Sequence, residues 1–438
     1  MRKKLLFTFA LLLTVATGAW ATDWYKIQVT ATGNIGGTAI PEQSFTYYST
    51  LPCSKTLAEC YEKATGGEPS AALTVSSVNS NDEAKVSVTS NNWNTTISIN
   101  EACTEVVTVT AMLTSGGYPA GTVYFAITAT LIPSWESDKC TVMLDGGKLI
   151  VTKTDPDSET GTMEDYEGLA DRGWNAYVGD ITSIVIKNGV TSIGMSAFAQ
   201  CAISSVTIPA SVKTIGDRAF ESCGNLATVT LNGNPYIGET AFAFIKDGAT
   251  TTMNLTANSA GGAKWMTFYN QYGNFQADEG TQVFKAAVSE TGTLTLREVE
   301  DKIVNQGEAV VLKSTDNPMM TLIGDDSADE YDNNDLRGVH PSVNVVGDGT
   351  IYVLNYTPEN GVGFYKLADD KKLGIGKAYL EYDGALSNFF GFEDETTSVE
   401  LKNGKMEELK SFFDLSGRKV MNPTKGLYIV NGKKVIIK

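Results

Sequence analysis

Few residues in this sequence could perform acid–base or nucleophilic chemistry. His340 is the only histidine among 438 residues, so a Ser-His-Asp or Cys-His mechanism would have to use it. It precedes Pro341, follows an acidic stretch and has no nucleophile motif beside it. A solvated loop histidine is the better interpretation, and we predict no catalytic residue.

Carboxylates are concentrated in one segment and could supply oxygen ligands to Ca²⁺. Their spacing lacks the pattern and central glycine of an EF-hand loop, and a charge run is usually a solvated loop. The cysteines do not form two CxxC pairs, so a zinc site has no support, and no Walker-type loop is present. We therefore expect no metal and no cofactor. The acidic residues of the segment are Asp325, Asp326, Asp329, Glu330, Asp332 and Asp335.

The first residues predict export. Basic residues at positions 2–4 precede an apolar run over 5–15 and a small-residue exit ending at Ala21, which is typical of a secretory signal peptide. Cleavage is expected near Ala21, and no cysteine nearby indicates a lipid anchor. The predicted location is secreted or at the outer cell surface.

Composition and charge restrict the class of protein. The chain has 34 Lys and Arg against 51 Asp and Glu, a net charge of −17. Such a surface repels phosphate backbones, so no nucleic-acid partner is expected. Frequent Gly, Val, Thr and Ile with few long helical patterns indicate a mainly β fold, and the length suggests about three or four domains.

An N-terminal β domain is predicted over residues 22–137. Alternating runs at 24–30, 84–89, 95–99, 105–111 and 122–131 are typical of a β-sandwich. Thr56 and Glu59 form a capping-box pattern that predicts one short helix. Cys53 and Cys60 flank its start. They could be an oxidised pair in an exporting compartment, or the helix could hold them apart.

A repeat lies in the centre of the chain. The pattern Ile-Gly-x-x-Ala-Phe begins at Ile193, Ile215 and Ile237, each 22 residues after the last. A period of this length indicates a solenoid in which each rung packs only against its neighbours. The repeated glycine is expected to allow a bend that a Cβ would obstruct. The predicted repeat core is Ile193, Phe198, Cys201, Ile215, Phe220, Cys223, Ile237 and Phe242.

The strands between these motifs carry a possible binding surface. If Val206 and Ile208 point inward, alternation places Ser205 and Thr207 outside. The resulting face is uncharged and rich in hydroxyl groups. Threonine also suits any exposed sheet, so an ordinary solvated face explains the pattern as well as a binding face does. The candidate binding residues are Ser205, Thr207, Thr228, Thr230, Thr252 and Asn254.

The repeats closely resemble the BspA-like leucine-rich repeats of Bacteroidetes surface proteins. The segment from Cys140 through Trp174 to Ile184 resembles the cap that precedes such repeats, which gives a capped repeat domain over 138–262. Only about three rungs are present, and the last departs from the pattern, with Phe244 and Ile245 in the cysteine region. The resemblance implies adhesion to a host matrix protein, another cell surface or a glycan.

Two further regions follow the repeats. Residues 263–392 resemble an accessory β domain of exported Bacteroidetes proteins. Residues 397–438 resemble the C-terminal sorting domain of type IX secretion, which implies contact with an export machinery. Within this tail, Asn431 and Gly432 form a type I′ hairpin signal between two alternating runs.

The sequence favours an exported, non-catalytic binding or adhesion protein with a repeat scaffold. One alternative is a secreted hydrolase with its active site in the N-terminal domain. Another is a purely structural stalk.

Overall fold

The computed structural model describes residues 23–260, 262–289, 294–324, 333–383 and 389–392, and the strands at 412–413, 419–420, 426–430 and 433–437. The predicted signal peptide lies outside them. The described residues form several β-sheets with one short α-helix, which confirms the predicted mainly β class. No described helix has the length and apolar character needed to cross a membrane.

The chain divides into two compact units. Unit 1 comprises residues up to Thr162 and the segment Arg172–Lys187, and unit 2 comprises Met163–Asp171 and the residues from Asn188 onward. The division runs through the segment 138–262, for which the sequence suggested a single capped repeat domain.

The described residues of unit 1 form twelve strands and the helix α1 (Leu57–Thr65). Two short 3₁₀ turns lie at Leu169–Asp171, in unit 2, and at Asn175–Tyr177, in unit 1. The strands of unit 1 are β1 (Trp24–Ile35), β2 (Thr38–Ser49), β3 (Cys53–Thr56), β4 (Thr74–Ser80), β5 (Val86–Thr89), β6 (Thr96–Ile99), β7 (Cys103–Ser115), β8 (Tyr118–Ile132), β9 (Ser134–Ser137), β10 (Cys140–Asp145), β11 (Lys148–Lys153) and β12 (Ser183–Ile186).

The N-terminal region of unit 1 packs two sheets and a helix around one core. A five-stranded sheet in the order β2-β1-β8-β7-β4 and a three-stranded sheet β3-β6-β5 share a cluster that includes Ile27, Val109 and Ile97. Helix α1 begins with the predicted capping box, in which Thr56 Oγ1 accepts from the Glu59 amide at 3.1 Å and Glu59 Oε2 accepts from the Thr56 amide at 2.7 Å. These two bonds satisfy amides that the first turn of a helix leaves free.

The remaining sheet of unit 1 has the order β12-β11-β10-β9. Strands β10 and β11 form a hairpin, and β11 pairs with β12 in parallel. Asp145 at the end of β10 joins this sheet to the five-stranded one: Lys26 Nζ lies 3.0 Å from one carboxylate oxygen, and the Tyr48 hydroxyl donates to the other at 2.9 Å.

Unit 2 contains the repeats and the strands that follow them. They are β13 (Ser192–Ile193), β14 (Ser205–Ile208), β15 (Thr214–Ile215), β16 (Thr228–Leu231), β17 (Tyr236–Ile237), β18 (Thr250–Asn254), β19 (Asn258–Ala260), β20 (Ala263–Tyr269), β21 (Phe275–Ala277), β22 (Thr281–Val288), β23 (Leu294–Glu298), β24 (Ile303–Val304), β25 (Ala309–Ser314), β26 (Met319–Leu322), β27 (Leu336–Gly338), β28 (Ile351–Thr357), β29 (Gly361–Lys366), β30 (Ala378–Glu381) and β31 (Phe389–Gly391).

The repeats form two narrow parallel sheets. One consists of β13-β15-β17, and the other begins β14-β16-β18. The second sheet does not stop where the repeats end, because β18 pairs antiparallel with β26, which pairs with β21, which pairs with β24. One six-stranded sheet thus joins the repeats to residues beyond the boundary suggested at 262.

Two five-stranded sheets make up most of the accessory region. Their orders are β19-β20-β25-β22-β23 and β27-β30-β28-β29-β31, and a shared core that includes Val311, Tyr352 and Phe364 lies between them. Strand β25 is buried throughout its apolar run from Ala309 to Leu312.

The tail contains a small sheet of four strands in the order β33-β32-β34-β35, with β32 (Phe412–Phe413), β33 (Lys419–Val420), β34 (Gly426–Val430) and β35 (Lys433–Ile437). Strands β34 and β35 pair antiparallel with Val430 opposite Lys433. This register is the one expected for a two-residue hairpin turn. The predicted turn residues 431 and 432 lie outside the described part of the chain.

Candidate functional site

The interior of each rung is built from the repeated motif. All eight predicted core residues are buried, including Ile193, Cys201 and Cys223. The chain turns through left-handed backbone at equivalent places: Gln200, Ser222 and Phe244 have φ of 63°, 59° and 56°. Left-handed backbone without glycine is uncommon, and its recurrence every 22 residues keeps successive turns superimposed.

The repeated glycine is required by close approach between rungs. A Cβ on Gly216 would lie 2.6 Å from the Met195 amide nitrogen, and one on Gly238 would lie 2.6 Å from the Asp217 amide nitrogen. Neither glycine is among the residues with positive φ. Glycine is therefore needed at these positions because a Cβ would clash with the preceding rung, and not because the glycine itself has an unusual backbone conformation.

An aromatic ladder runs through the interior. The ring centroids of Phe198 and Phe220 are 5.3 Å apart, and those of Phe220 and Phe242 are 5.2 Å apart with planes at 9°. Tyr272 continues the ladder, since its ring meets Phe242 edge-on at 6.0 Å. Burial raises the pKa of Tyr272, so the hydroxyl stays neutral beside the last rung.

The candidate binding residues lie on the outer face of the repeat strands. Ser205, Thr207 and Thr228 are exposed, as is Asn254, whereas Thr230 and Thr252 are half-buried by their neighbours. The strand registers align these residues in rows across the sheet. One row contains Ser205, Thr228 and Thr250, and the other begins Thr207, Thr230 and Thr252.

The second row continues beyond the repeats. Thr321 on β26 lies opposite Thr252, and Gln276 on β21 lies opposite Thr321. Directly paired residues of neighbouring strands share a face, and strands are spaced by about 4.7–4.9 Å. The structure therefore places one row of hydroxyl and amide side chains across five strands.

This surface, which we call the hydroxyl face, is uncharged. It accommodates no acid–base chemistry, because hydroxyl and amide groups do not titrate near neutral pH, but each group can donate and accept hydrogen bonds. Asn254 is held by one such bond, from its Nδ2 to Asn232 Oδ1 at 3.0 Å. The hydroxyl face consists of Ser205, Thr207, Thr228, Thr230, Thr250, Thr252, Asn254, Thr321 and Gln276.

Sequence reasoning missed three members of this face. Thr250 obeys the same alternation as Thr252 and could have been found by extending the strand by one pair. Thr321 and Gln276 carried no signal, because their place depends on the pairing of β18 with a strand that follows more than sixty residues later.

Two asparagines, the half-buried Asn234 and the buried Asn270, connect the last rung to the accessory region. Asn234 Nδ2 donates to the carbonyl oxygens of Tyr269 and Gly376, each at 3.0 Å. Asn270 Nδ2 donates to Asn234 Oδ1 at 2.9 Å and to the Pro235 carbonyl oxygen at 3.2 Å. These bonds tie the loop before β17 to the end of β20 and to the segment before β30.

The other candidate groups do not gather into a reactive centre. His340 is half-buried, its Nδ1 lies 2.6 Å from Ser342 Oγ, and its ring meets Tyr236 edge-on at 5.3 Å. Asp335 accepts from the Val288 amide at 2.7 Å, while the other acids of its segment, at 325–332, lie outside the described residues. Among the described residues no three His, Cys, Asp or Glu side chains are placed to hold a metal ion.

The cysteines are free thiols throughout the described chain. Cys53 lies on β3 and Cys60 is buried in α1, so the oxidised pair that the sequence left open is not formed. Burial raises the pKa of the Cys60 thiol to about 12, which keeps it in the unreactive protonated form.

A cleft in unit 1 is a candidate active site for the predicted alternative of a secreted hydrolase. Its volume is about 240 Å³. Glu136 is its only carboxylate, whereas glycoside hydrolysis ordinarily uses two. The cleft is lined by Trp24, Thr50, Ser134, Trp135, Glu136, Thr141 and Thr154.

Comparison with known proteins agrees with the repeat geometry. A family profile described as BspA type leucine rich repeat region matches residues 175–270 in six copies. One solved structure, a leucine-rich repeat protein from Eubacterium ventriosum ATCC 27560, is 17% identical, and the match covers 37% of this chain and 47% of that one with a TM-score of 0.19. A search of curated proteins gives no match. By the family profile, the repeats at the centre of this chain are similar to BspA-type leucine-rich repeats.

Proposed function

We propose that this chain is an exported or cell-surface binding protein, and that it holds its partner on the hydroxyl face. The observation that carries the proposal is the continuity of this face: the row from Thr207 to Gln276 crosses repeat strands and accessory strands in one sheet. A face needed only for solubility does not have to carry the same hydroxyl and amide groups on both the repeat strands and the accessory strands.

The chemistry of the face favours an extended, uncharged, hydrogen-bonding partner. Hydroxyl and amide groups in regular rows offer donors and acceptors along a line, while they provide no charge to attract an ion and no aromatic anchor. A matrix protein, another cell surface or a glycan is the partner class that fits this surface and the resemblance of the repeats.

The hydrolase alternative receives less support from the geometry. The cleft in unit 1 has one acidic residue, Glu136, and His340 in unit 2 contacts a serine only two residues away in the chain. A structural stalk has no need of a chemically uniform face. Neither alternative requires the alignment of Thr252 with Thr321.

The test is binding of the purified chain to an array of glycans and matrix proteins. Thr230→Lys places a long cation in the middle of the hydroxyl face and should abolish retention on the array spots that bind the native chain. Thr46→Lys is the matched control, because Thr46 is an exposed strand threonine on β2 in unit 1. Equal binding by both variants would contradict the proposal.

A further inference from the structure

The cleft in unit 1 combines aromatic rings with hydrogen-bonding groups. Two tryptophans, Trp24 and Trp135, line it together with four hydroxyl side chains and the carboxylate of Glu136. Ser134, Trp135 and Glu136 are consecutive residues of β9, the edge strand of its sheet. Because side chains of consecutive strand residues point to opposite faces, the cleft wraps around that edge.

The indole of Trp135 is fixed before any ligand arrives. It lies against Gly173, where a Cβ would come within 2.1 Å of the indole Cδ1. The ring centroids of Trp174 and Tyr177 lie 6.2 and 5.9 Å from that of Trp135, and Trp174 is fully buried. A ring that is already fixed in this way loses no further conformational entropy when a ligand binds to it.

The rest of the cleft is also anchored. Trp24, at the start of β1, packs against the buried cluster of Ile132, Met143 and Ile150. The hydroxyls of Thr141 and Thr154 are 3.0 Å apart and hydrogen-bonded to each other. The hydroxyls of Thr141 and Thr154 are therefore held in defined positions.

We propose that this cleft binds a single neutral sugar ring. A pyranose has apolar C–H faces that suit indole rings, which combine a large apolar surface with a polar edge. Its hydroxyls match the threonine and serine hydroxyls and can donate to the carboxylate of Glu136, a charge-assisted bond of the stronger kind. Glu136 is the only charged residue of the lining, so it disfavours acidic sugars.

The size of the cleft limits the ligand to about one ring. Its volume of about 240 Å³ is below the roughly 300 Å³ at which pockets for drug-sized ligands begin. A terminal or side-branch sugar of a larger glycan fits such a site better than an extended chain does. The site is separate from the hydroxyl face and does not depend on its proposed role.

The experiment measures binding of neutral hexoses, N-acetylhexosamines and uronic acids to the full chain by saturation-transfer NMR, with tryptophan fluorescence for affinity. We expect saturable binding of at least one neutral sugar and weaker binding of the corresponding uronic acid. Glu136→Ala should weaken affinity at least about tenfold, since a hydrogen bond to a charged group contributes about 1.5–3 kcal/mol. Glu105→Ala, an exposed acid on β7, should leave affinity unchanged.

The role of the aromatic ring is tested by two substitutions at one position. Trp135→Phe keeps a ring and should retain part of the affinity, whereas Trp135→Leu should lose it, and circular dichroism checks that both variants fold. Absence of saturable binding by the native chain, or native affinity in Glu136→Ala, would overturn the proposal. Thr230→Lys should bind the sugar normally, which separates this site from the hydroxyl face.

Discussion

At the scale of single residues, the repeat depends on positions where one side chain meets its equivalent in the next rung. Phe198, Phe220 and Phe242 stack at 5.2–5.3 Å, and the glycines before them allow the backbones to approach. The sequence predicted the identity and burial of these residues because a fixed period repeats every contact. It did not predict that Tyr272 continues the ladder, since this tyrosine belongs to no repeat.

Truncation of the central ring tests the ladder. Phe220→Ala should reduce the free energy of unfolding by about 3–5 kcal/mol, the usual cost for a fully buried phenylalanine, because Phe220 contacts a ring on each side. Chemical denaturation measures the change. Thr207→Ala, at an exposed strand position, is the control, and a similar effect of the two substitutions would mean that the ladder contributes little.

Thiol reactivity tests the burial of the paired cysteines. Cys201 and Cys223 are fully buried, and Cys223 Sγ lies 3.2 Å from the carbonyl oxygen of Phe198. We expect both to resist alkylation in the native protein and to react after denaturation, because reaction requires an accessible thiolate. Peptide mapping by mass spectrometry distinguishes the two states. A disulfide between them, or alkylation of the native protein, would contradict the structure.

Asp145 should make unit 1 sensitive to acid. Burial by itself raises its pKa, but hydrogen bonds from Lys26 and Tyr48 and the nearby charge of Lys148 lower it below the ordinary value overall. A carboxylate whose pKa is lowered on folding stabilises the native state above its unfolded pKa of about 3.9. This contribution is lost as the pH falls through the pKa of the folded state.

The comparison with Asp145→Asn isolates this contribution. The difference in unfolding free energy between native chain and variant should be constant above about pH 5 and shrink below about pH 4. Glu42→Gln, at an exposed position of β2, should give no such pH-dependent difference. A difference that grows towards low pH would have the wrong sign for this account.

At the scale of elements, the main finding is that the repeat sheet does not end with the repeats. Strand β26 closes the edge of β18, which covers an edge that could otherwise pair with another chain. Period and alternation predicted the strands of the rungs, but nothing in the sequence couples residue 252 to residue 321. The asparagine bonds from Asn234 and Asn270 likewise depend on a contact that only the folded chain creates.

The candidate site was predictable only in part for the same reason. Alternation within a strand identified Ser205, Thr207 and their equivalents, because each outward position follows from an inward one. The aromatic cleft of unit 1 gave no such signal, since Trp24 and Trp135 are distant in sequence and line one cleft only in the folded chain. Local patterns predict faces of strands, and they do not predict which strands become neighbours.

At the scale of the whole molecule, the tail should be separable from the remainder. Its four strands pair only with one another in their sheet, and the polar residues at 393–398 are typical of a linker. We predict that deleting residues 397–438 leaves the thermal unfolding of the remainder unchanged but prevents delivery to the cell surface. Fractionation of the native host measures delivery. Normal surface display without the tail would contradict its proposed role in sorting.

The central claim is that one binding face spans both the repeats and the accessory strands. The most direct measurement compares Thr321→Lys with Thr230→Lys on the same array of glycans and matrix proteins. Thr321 lies outside the repeats but opposite Thr252 on the hydroxyl face, so its substitution should abolish binding as completely as the substitution within the repeats does. Native binding by Thr321→Lys, with binding lost in Thr230→Lys, would restrict the site to the repeats and contradict the claim.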